Sequence, residues 1–246
     1  MNSKRSLYLW RDAVLSLFYP RECALCKSFV ESHDDGATCE VCWQKTRTFT
    51  QNESLCHKCG RLLQNNAIGN VLSHCHYCSS DFYSAARAVG VYEGALRIAV
   101  LELKEKPFIP NRLKSLLAQA VNQMIFAEAT SVVAVPLHPK REKIRGFNQA
   151  LLIAKFLSGH TNLPLLERVL IRELYTRQHR AGMDELARHQ SIADAFIVKQ
   201  PRLVKNEKIL LIDDVFTSGA TVSTCAQTLR EAGTQDVLVL TIARAV

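Results

Sequence analysis

The chain has 246 residues, 48% of them hydrophobic and 22% charged, with 31 Lys and Arg against 23 Asp and Glu for a formal charge of +8. That is room for one large domain or two small ones around an ordinary core. No apolar run is long enough to span a bilayer, which excludes a membrane-spanning helix, and the basic excess suits a phosphate-bearing ligand or a nucleic acid.

Leu7-Tyr8-Leu9-Trp10 is interrupted by Arg11 and Asp12, so it makes a poor signal-peptide core. Continued from Ala13 to Phe18 and stopped before Pro20, the segment predicts a short amphipathic helix within residues 1–20 that docks on the chain's own core. A cytoplasmic location is the default expectation.

Cysteine then divides the chain. Eight of nine cysteines form four C-x-x-C pairs, Cys23/Cys26, Cys39/Cys42, Cys56/Cys59 and Cys75/Cys78. Two residues between cysteines let both thiolates turn toward one tetrahedral ion, and two such pairs complete a structural zinc site. A redox C-x-x-C is the competing reading, but no strand–helix context stands beside these pairs. The intervening stretches of 12, 13 and 15 residues barely separate sequential from cross-braced sharing. Sequential sites, Cys23/26/39/42 and Cys56/59/75/78, are preferred because each segment reads as a local ribbon. His57, His74 and His76 are close enough to ligate, but with eight thiols present they are expected to stand behind or outside the ligand sets. Two zinc ions would supply most of the folding energy of residues 21–80, which carry few large apolar side chains.

From Ser79 to Ser131 the pattern becomes conventional. Ala86–Tyr92 alternates as a strand does, and Gly94–Lys104 places Leu96, Ala99, Val100 and Leu103 on one helical face. Lys104 falls at that helix's end, where compensating the dipole is preferred over reaching a ligand phosphate. Leu113–Ala129 reads as a second amphipathic helix.

Ser131–Pro136 is a short apolar run, a buried strand. The loop after it carries Lys140, Arg141, Lys143 and Arg145, cations at the carboxyl edge of a sheet, where open α/β folds bind ligands. Pyrophosphate needs such donors. His138 is a candidate base, although a His beside Pro is more often structural.

Ile209–Ile212 predicts another buried parallel strand, with Asp213 and Asp214 at its end. The loop Thr217-Ser218-Gly219-Ala220-Thr221 runs into a helix marked by Val222, Ala226 and Leu229 and capped by Gly233. Free N–H groups at such a helix start favour phosphate, and two acids before it can accept hydrogen bonds from vicinal hydroxyls. The combination reads as a sugar-phosphate cradle. Cys225, inside the helix, reads as a small buried apolar residue.

The string Leu210–Thr221 resembles the phosphoribosyl-pyrophosphate (PRPP) loop of type I phosphoribosyltransferases: hydrophobic run, two acids, then Thr-Ser-Gly and a nearby Thr. The whole arrangement resembles the ComF/GntX family. The matching pieces are the four C-x-x-C pairs, Leu17-Phe18-Tyr19-Pro20, Tyr92 with Gly94 before Leu103-Lys104, Val135–Arg141, Arg145-Gly146-Phe147-Asn148-Gln149, and Asp213–Thr221. Arg-Gly-Phe-Asn-Gln is diagnostic, since it is not a general phosphoribosyltransferase feature. Ala195-Phe196 is present and Arg188 fits, but Ser191 stands where the family carries Asn, and Thr176–Arg180 fits only loosely.

The resemblance implies an α/β chain: a type I phosphoribosyltransferase-like, open, mostly parallel sheet with helices on both faces (residues 81–246), preceded by a small cysteine-rich double zinc ribbon (21–80) and the helix of 1–20. It implies a competence or DNA-uptake protein acting on imported single-stranded DNA; a helicase-type partner belongs to the alternative in which the zinc ribbon is a scaffold. It assigns the 5′-phosphate of PRPP or a nucleotide to Thr217, Ser218, Gly219, Ala220 and Thr221. The ribose hydroxyls fall to Asp213 and Asp214, and pyrophosphate to Lys140 and Arg141, with Mg²⁺ accompanying it. Arg145 is the further candidate for charge neutralisation, so Asp213, Asp214 and Arg145 form the catalytic set if the site turns over. An active salvage phosphoribosyltransferase and a zinc-ribbon scaffold for a partner remain the alternatives.

Overall fold

The computed structural model describes residues 19–50, 53–63, 75–173 and 195–245. The expected helix of residues 1–20 therefore lies almost wholly outside it, as do His74 and the stretch from Thr176 to Ser191. Among the described residues, four apolar runs form strands β1 (Ala85–Val91), β2 (Ser131–Ala134), β5 (Lys208–Phe216) and β6 (Asp236–Arg244) of one parallel sheet, ordered β1-β6-β5-β2. Two short strands, β3 (Leu170–Arg172) and β4 (Phe196–Val198), pair antiparallel as a hairpin.

The continuous hydrophobicity of β5 and β6 is explained by burial on both faces. Side chains alternate across a strand, so Leu210 and Ile212 enter one core while Ile209 and Leu211 enter the other. The first core is closed by helices α2 (Gly94–Glu105), α3 (Asn111–Val121) and α5 (Gln149–Thr161), whose Leu96, Leu103, Leu113, Leu117, Ile153 and Leu157 are fully buried. The second is closed by helix α7 (Ala220–Glu231) through Val222, Ala226 and Leu229, and by Leu170 and Phe196 of the hairpin. The expected sheet, with helices on both faces, is what the chain forms.

Three boundaries differ from the sequence reading. The strand read over Ser131–Pro136 stops at Ala134, before the proline that lacks a ladder donor. The helix read over Leu113–Ala129 ends at Val121, and Met124–Phe126 makes a separate 3₁₀ turn after extended Gln123. Strand β5 does not end at the two acids; its pairing with β6 continues to Phe216 opposite Arg244. The acids therefore keep the strand's alternation. Asp214 looks toward the face of α2 and α5, and Asp213 toward that of α7 and β3.

Two cysteine knuckles precede the sheet, built alike. An antiparallel bridge flanks each, Glu22 with Phe29 and Leu55 with Leu62, and the first cysteine's N–H donates five residues on, Cys23 to Ser28 and Cys56 to Arg61, both at 2.7 Å. The first knuckle, with helix α1 (Glu40–Lys45), has a small cluster of its own around Cys23, Val30 and Cys39. It is tied to the sheet domain through buried Trp43, through Glu102 accepting from Ala37 N–H at 2.9 Å, and through Thr46 accepting from Ala95 N–H at 2.8 Å. The second is merged with the domain: Cys56, Cys59 and Cys78 lie in the same apolar cluster as Ile209 and Val239.

Candidate functional site

The carboxyl ends of β2 and β5 bring two sequence-distant segments together. After β2 the chain forms helix α4 (Pro139–Arg145) where a loop was expected. Proline at the first helical position and a capping side chain explain it: His138 Nδ1 accepts from Lys140 N–H at 3.1 Å, and its Nε2 donates to the Glu173 carbonyl at 3.0 Å. His138 is thus a cap and strut, and Lys140, Arg141 and Lys143 stand exposed on the helix it starts.

The Arg145–Gln149 motif is a corner. Gly146 closes α4 in the left-handed conformation, φ 85°, where a side chain would be strained. Asn148 opens α5 by accepting from Ala150 N–H at 3.0 Å, while its Nδ2 donates to the Val135 carbonyl at 3.0 Å, pinning the corner to the end of β2. Gln149 is then buried and aimed at β5: its Nε2 donates to Asp214 Oδ2 at 3.0 Å, and its Oε1 accepts from Arg145 at 2.5 Å. Lys104, from the last turn of α2, places Nζ 3.4 Å from the same Asp214 oxygen. Lys104 thus turns into the site, against the preference for a plain dipole role.

Asp213 sits differently. Burial first and the Asp214 charge second push its carboxyl up to about 7; Asp214 N–H, donating at 2.9 Å, and the charges of Lys104 and Arg172 pull the other way. A carboxyl poised near neutrality is a feature the sequence did not disclose.

The loop from Thr217 to Thr221 follows directly, with Thr217, Ser218 and Thr221 exposed. Gly219 is the N-cap of α7 at φ 86°, and a Cβ there would lie 2.7 Å from Phe216 Cζ, so both the backbone and the space call for glycine. Cys225, one turn on, is fully buried, and burial raises its thiol well above the ordinary value. A cavity of about 760 Å³ opens beside this edge under Leu151, Leu166, Leu170 and Ile171; it meets the site at Pro136, Leu137 and Asn148 and is not lined by Asp213, Asp214 or the loop. Its volume alone does not mark the chemistry.

The eight paired thiols gather in two sets, Cys23, Cys26, Cys39, Cys42 and Cys56, Cys59, Cys75, Cys78, with all sulfurs of a set within 4.8 Å of one another. The grouping is sequential, and His57 and His76 are in neither set. Burial and neighbouring thiols hold Cys42 at about 12 and Cys59 at about 11, while the Ser28 hydroxyl, 2.8 Å away, lowers Cys26 to about 6. Four thiols so close ionise together only around a cation, and all-sulfur tetrahedral sets suit zinc. These are two structural Cys₄ zinc sites.

Residues 14–80 match the family model described as a double zinc ribbon domain. Competence protein F of Haemophilus influenzae is 29% identical over 242 residues, covering 93% of this chain and 99% of that protein. DNA utilization protein YhgH of Salmonella typhi is 28% identical over 240 residues, with the same coverage of 93% and 99%. Among solved structures, glutamine phosphoribosylpyrophosphate amidotransferase from B. subtilis, complexed with ADP and GMP, is similar at 22% identity and TM-score 0.37 over 52% of this chain and 25% of that one, too low a score to carry weight. With its double zinc ribbon, its parallel sheet and relatives matching nearly end to end, the chain is similar throughout its length to competence protein F and to the DNA utilization protein YhgH.

Proposed function

We propose that this is a competence-type DNA-uptake protein whose carboxyl-edge site binds PRPP or a phosphoribosyl nucleotide, and which also engages single-stranded DNA on the cytoplasmic side. The observation that carries the ligand reading is the passage from Asp213 and Asp214, on the end of a central strand, into a glycine-opened helix start at Gly219. Backbone N–H groups of Ser218 to Thr221 would hold the 5′-phosphate. Asp213 and Asp214 would accept from the ribose hydroxyls. Lys140 and Arg141 would take the pyrophosphate, and Arg145, fixed through Gln149, would neutralise charge at the acids. Oxygen-rich Mg²⁺ coordination fits this donor set, and the ion would supply charge neutralisation of the pyrophosphate. The test is calorimetry with PRPP and Mg²⁺: the wild type should bind and an Asp213→Ala/Asp214→Ala variant should not. Equal heats, or none from the wild type, overturn the reading.

The DNA role rests on the relatives' names and on the +8 charge. Binding of a labelled single strand should weaken steeply as salt rises; salt-insensitive binding, or none, argues against it. One observation favours turnover as a second reading, namely the Asp213 carboxyl held near neutrality, suited to moving a proton on an incoming base. Pyrophosphate release across a panel of nucleobases separates a transferase from a binder. In this proposal residues 21–80 are the ribbon module and 81–246 the ligand-binding domain.

A further inference from the structure

Arg244 is a buried cation, 5% exposed, at the end of β6 between Val91 and Phe216 in the sheet register. Among the described residues no carboxylate forms an ion pair with it. A buried guanidinium without an anion is costly. Its two contacts say where compensation comes from. One Nη donates to the carbonyl of Cys59 at 2.6 Å, and Cζ stacks 4.4 Å from the centre of the Phe216 ring. Cys59 belongs to the second zinc set, and a zinc held by four thiolates carries a net charge of about −2. Arg87 approaches the same knuckle from β1, donating to the His57 carbonyl at 3.0 Å. The ribbon is thus flanked by desolvated guanidinium groups that a dianionic centre would balance.

Phe216 carries the other half of the relationship. Its ring is held edge-on by Tyr83 at 6.0 Å and lies so close under Gly219 that no Cβ fits between them. A continuous contact path therefore runs from the zinc set through the Cys59 carbonyl, Arg244 and the Phe216 ring to the turn that opens α7. We infer that Arg244 is a positioning residue that serves as counter-cation to the second zinc–thiolate centre and, through Phe216, holds the loop at Gly219 in shape. The ribbon thereby sets the geometry of the proposed phosphate pocket. The inference rests on the proposed ligand reading only for what the loop binds.

The test needs no ligand. In the full zinc-loaded chain, hydrogen exchange is read by mass spectrometry over residues 216–222, with α3 as the control segment, and zinc release to a chromogenic chelator is timed. Arg244→Met should speed both loop exchange and zinc release roughly tenfold and leave α3 unchanged. Phe216→Leu should speed loop exchange alone. Arg244→Lys should keep zinc retention, having the charge, but lose loop protection, lacking the planar stack. Wild-type loop protection in Arg244→Lys overturns the inference even if Arg244→Met unfolds, and unchanged zinc release in a folded Arg244→Met overturns the counter-cation role. Failure to bind PRPP would leave these readouts untouched, so the two readings fail separately.

Discussion

Gln149 joins Asp214 to Arg145: one end of its amide donates to the acid at 3.0 Å and the other accepts from the guanidinium at 2.5 Å. One buried side chain thus ties α4, α5 and β5 at the proposed ligand edge. Replacing it with Ala strips a buried carboxylate of its hydrogen-bonding amide and leaves it only the Lys104 ammonium at 3.4 Å, and we expect a stability loss of about 1–3 kcal/mol. PRPP affinity should fall on the order of tenfold. Chemical denaturation and calorimetry on the same preparations check both numbers; an unaffected affinity would mean Asp214 needs no orientation.

Gly219→Ala places a Cβ at φ 86° and 2.7 Å from Phe216 Cζ. The expected cost is about 1–3 kcal/mol in thermal unfolding. Ribose 5-phosphate should bind more weakly, because the helix start moves.

Lys140 and Arg141 are assigned the pyrophosphate and the Gly219 loop the 5′-phosphate. Lys140→Ala/Arg141→Ala should therefore weaken PRPP roughly tenfold or more while leaving ribose 5-phosphate affinity within about twofold of wild type. Parallel loss for both ligands would contradict that division.

Asp213 is held at about 7 by burial, then by the Asp214 charge. Its unfolded value is near 3.9. The folded state thus binds the proton more tightly, so this residue's contribution to stability is full below about pH 4 and is lost as pH rises toward 7. Wild type should lose stability over that window by as much as a few kcal/mol, reduced by the partial exposure of the group. Asp213→Asn should flatten the curve and be the more stable protein at pH 8. Urea midpoints across the pH range decide it, and a wild type that gains stability over the window through this residue would refute the assignment.

The two zinc sites should respond differently to mutation. Cys26 is exposed and its knuckle has a small core of its own, whereas Cys56 is fully buried in the core of the sheet. Cys26→Ser should lower zinc content from two ions to one with a Tm change of a few degrees. Cys56→Ser should lower Tm by about 10 °C or more. Elemental analysis with calorimetric melting tests both.

Much of this was legible in the residues. Continuous runs such as Ile209–Ile212 read as doubly buried strands, and C-x-x-C spacing reads as zinc, because both signals are local. What stayed hidden depends on three-dimensional meeting points. Gln149 and Arg145 are four apart in sequence, but Asp214 is far away, and nothing local says that an amide will be turned toward it. Lys104 looked like an ordinary helix-end cation for the same reason. The basic stretch after β2 was read as a loop because the capping role of His138 depends on its own ring geometry. Arg244 carried no signal at all: its partners are a backbone carbonyl and an aromatic face.

The corner from Arg145 to Gln149 also works as a ruler. Asn148 is fastened at one end to β2 and at the other to the first turn of α5. A helix turns about 100° per residue, so a single residue inserted after Asn148 would swing the amide a quarter-turn or more off Asp214 while leaving strands and helices intact. Length in this short stretch is therefore under stricter geometric constraint than composition. An insertion here would be a clean way to disconnect the two halves of the site without touching either.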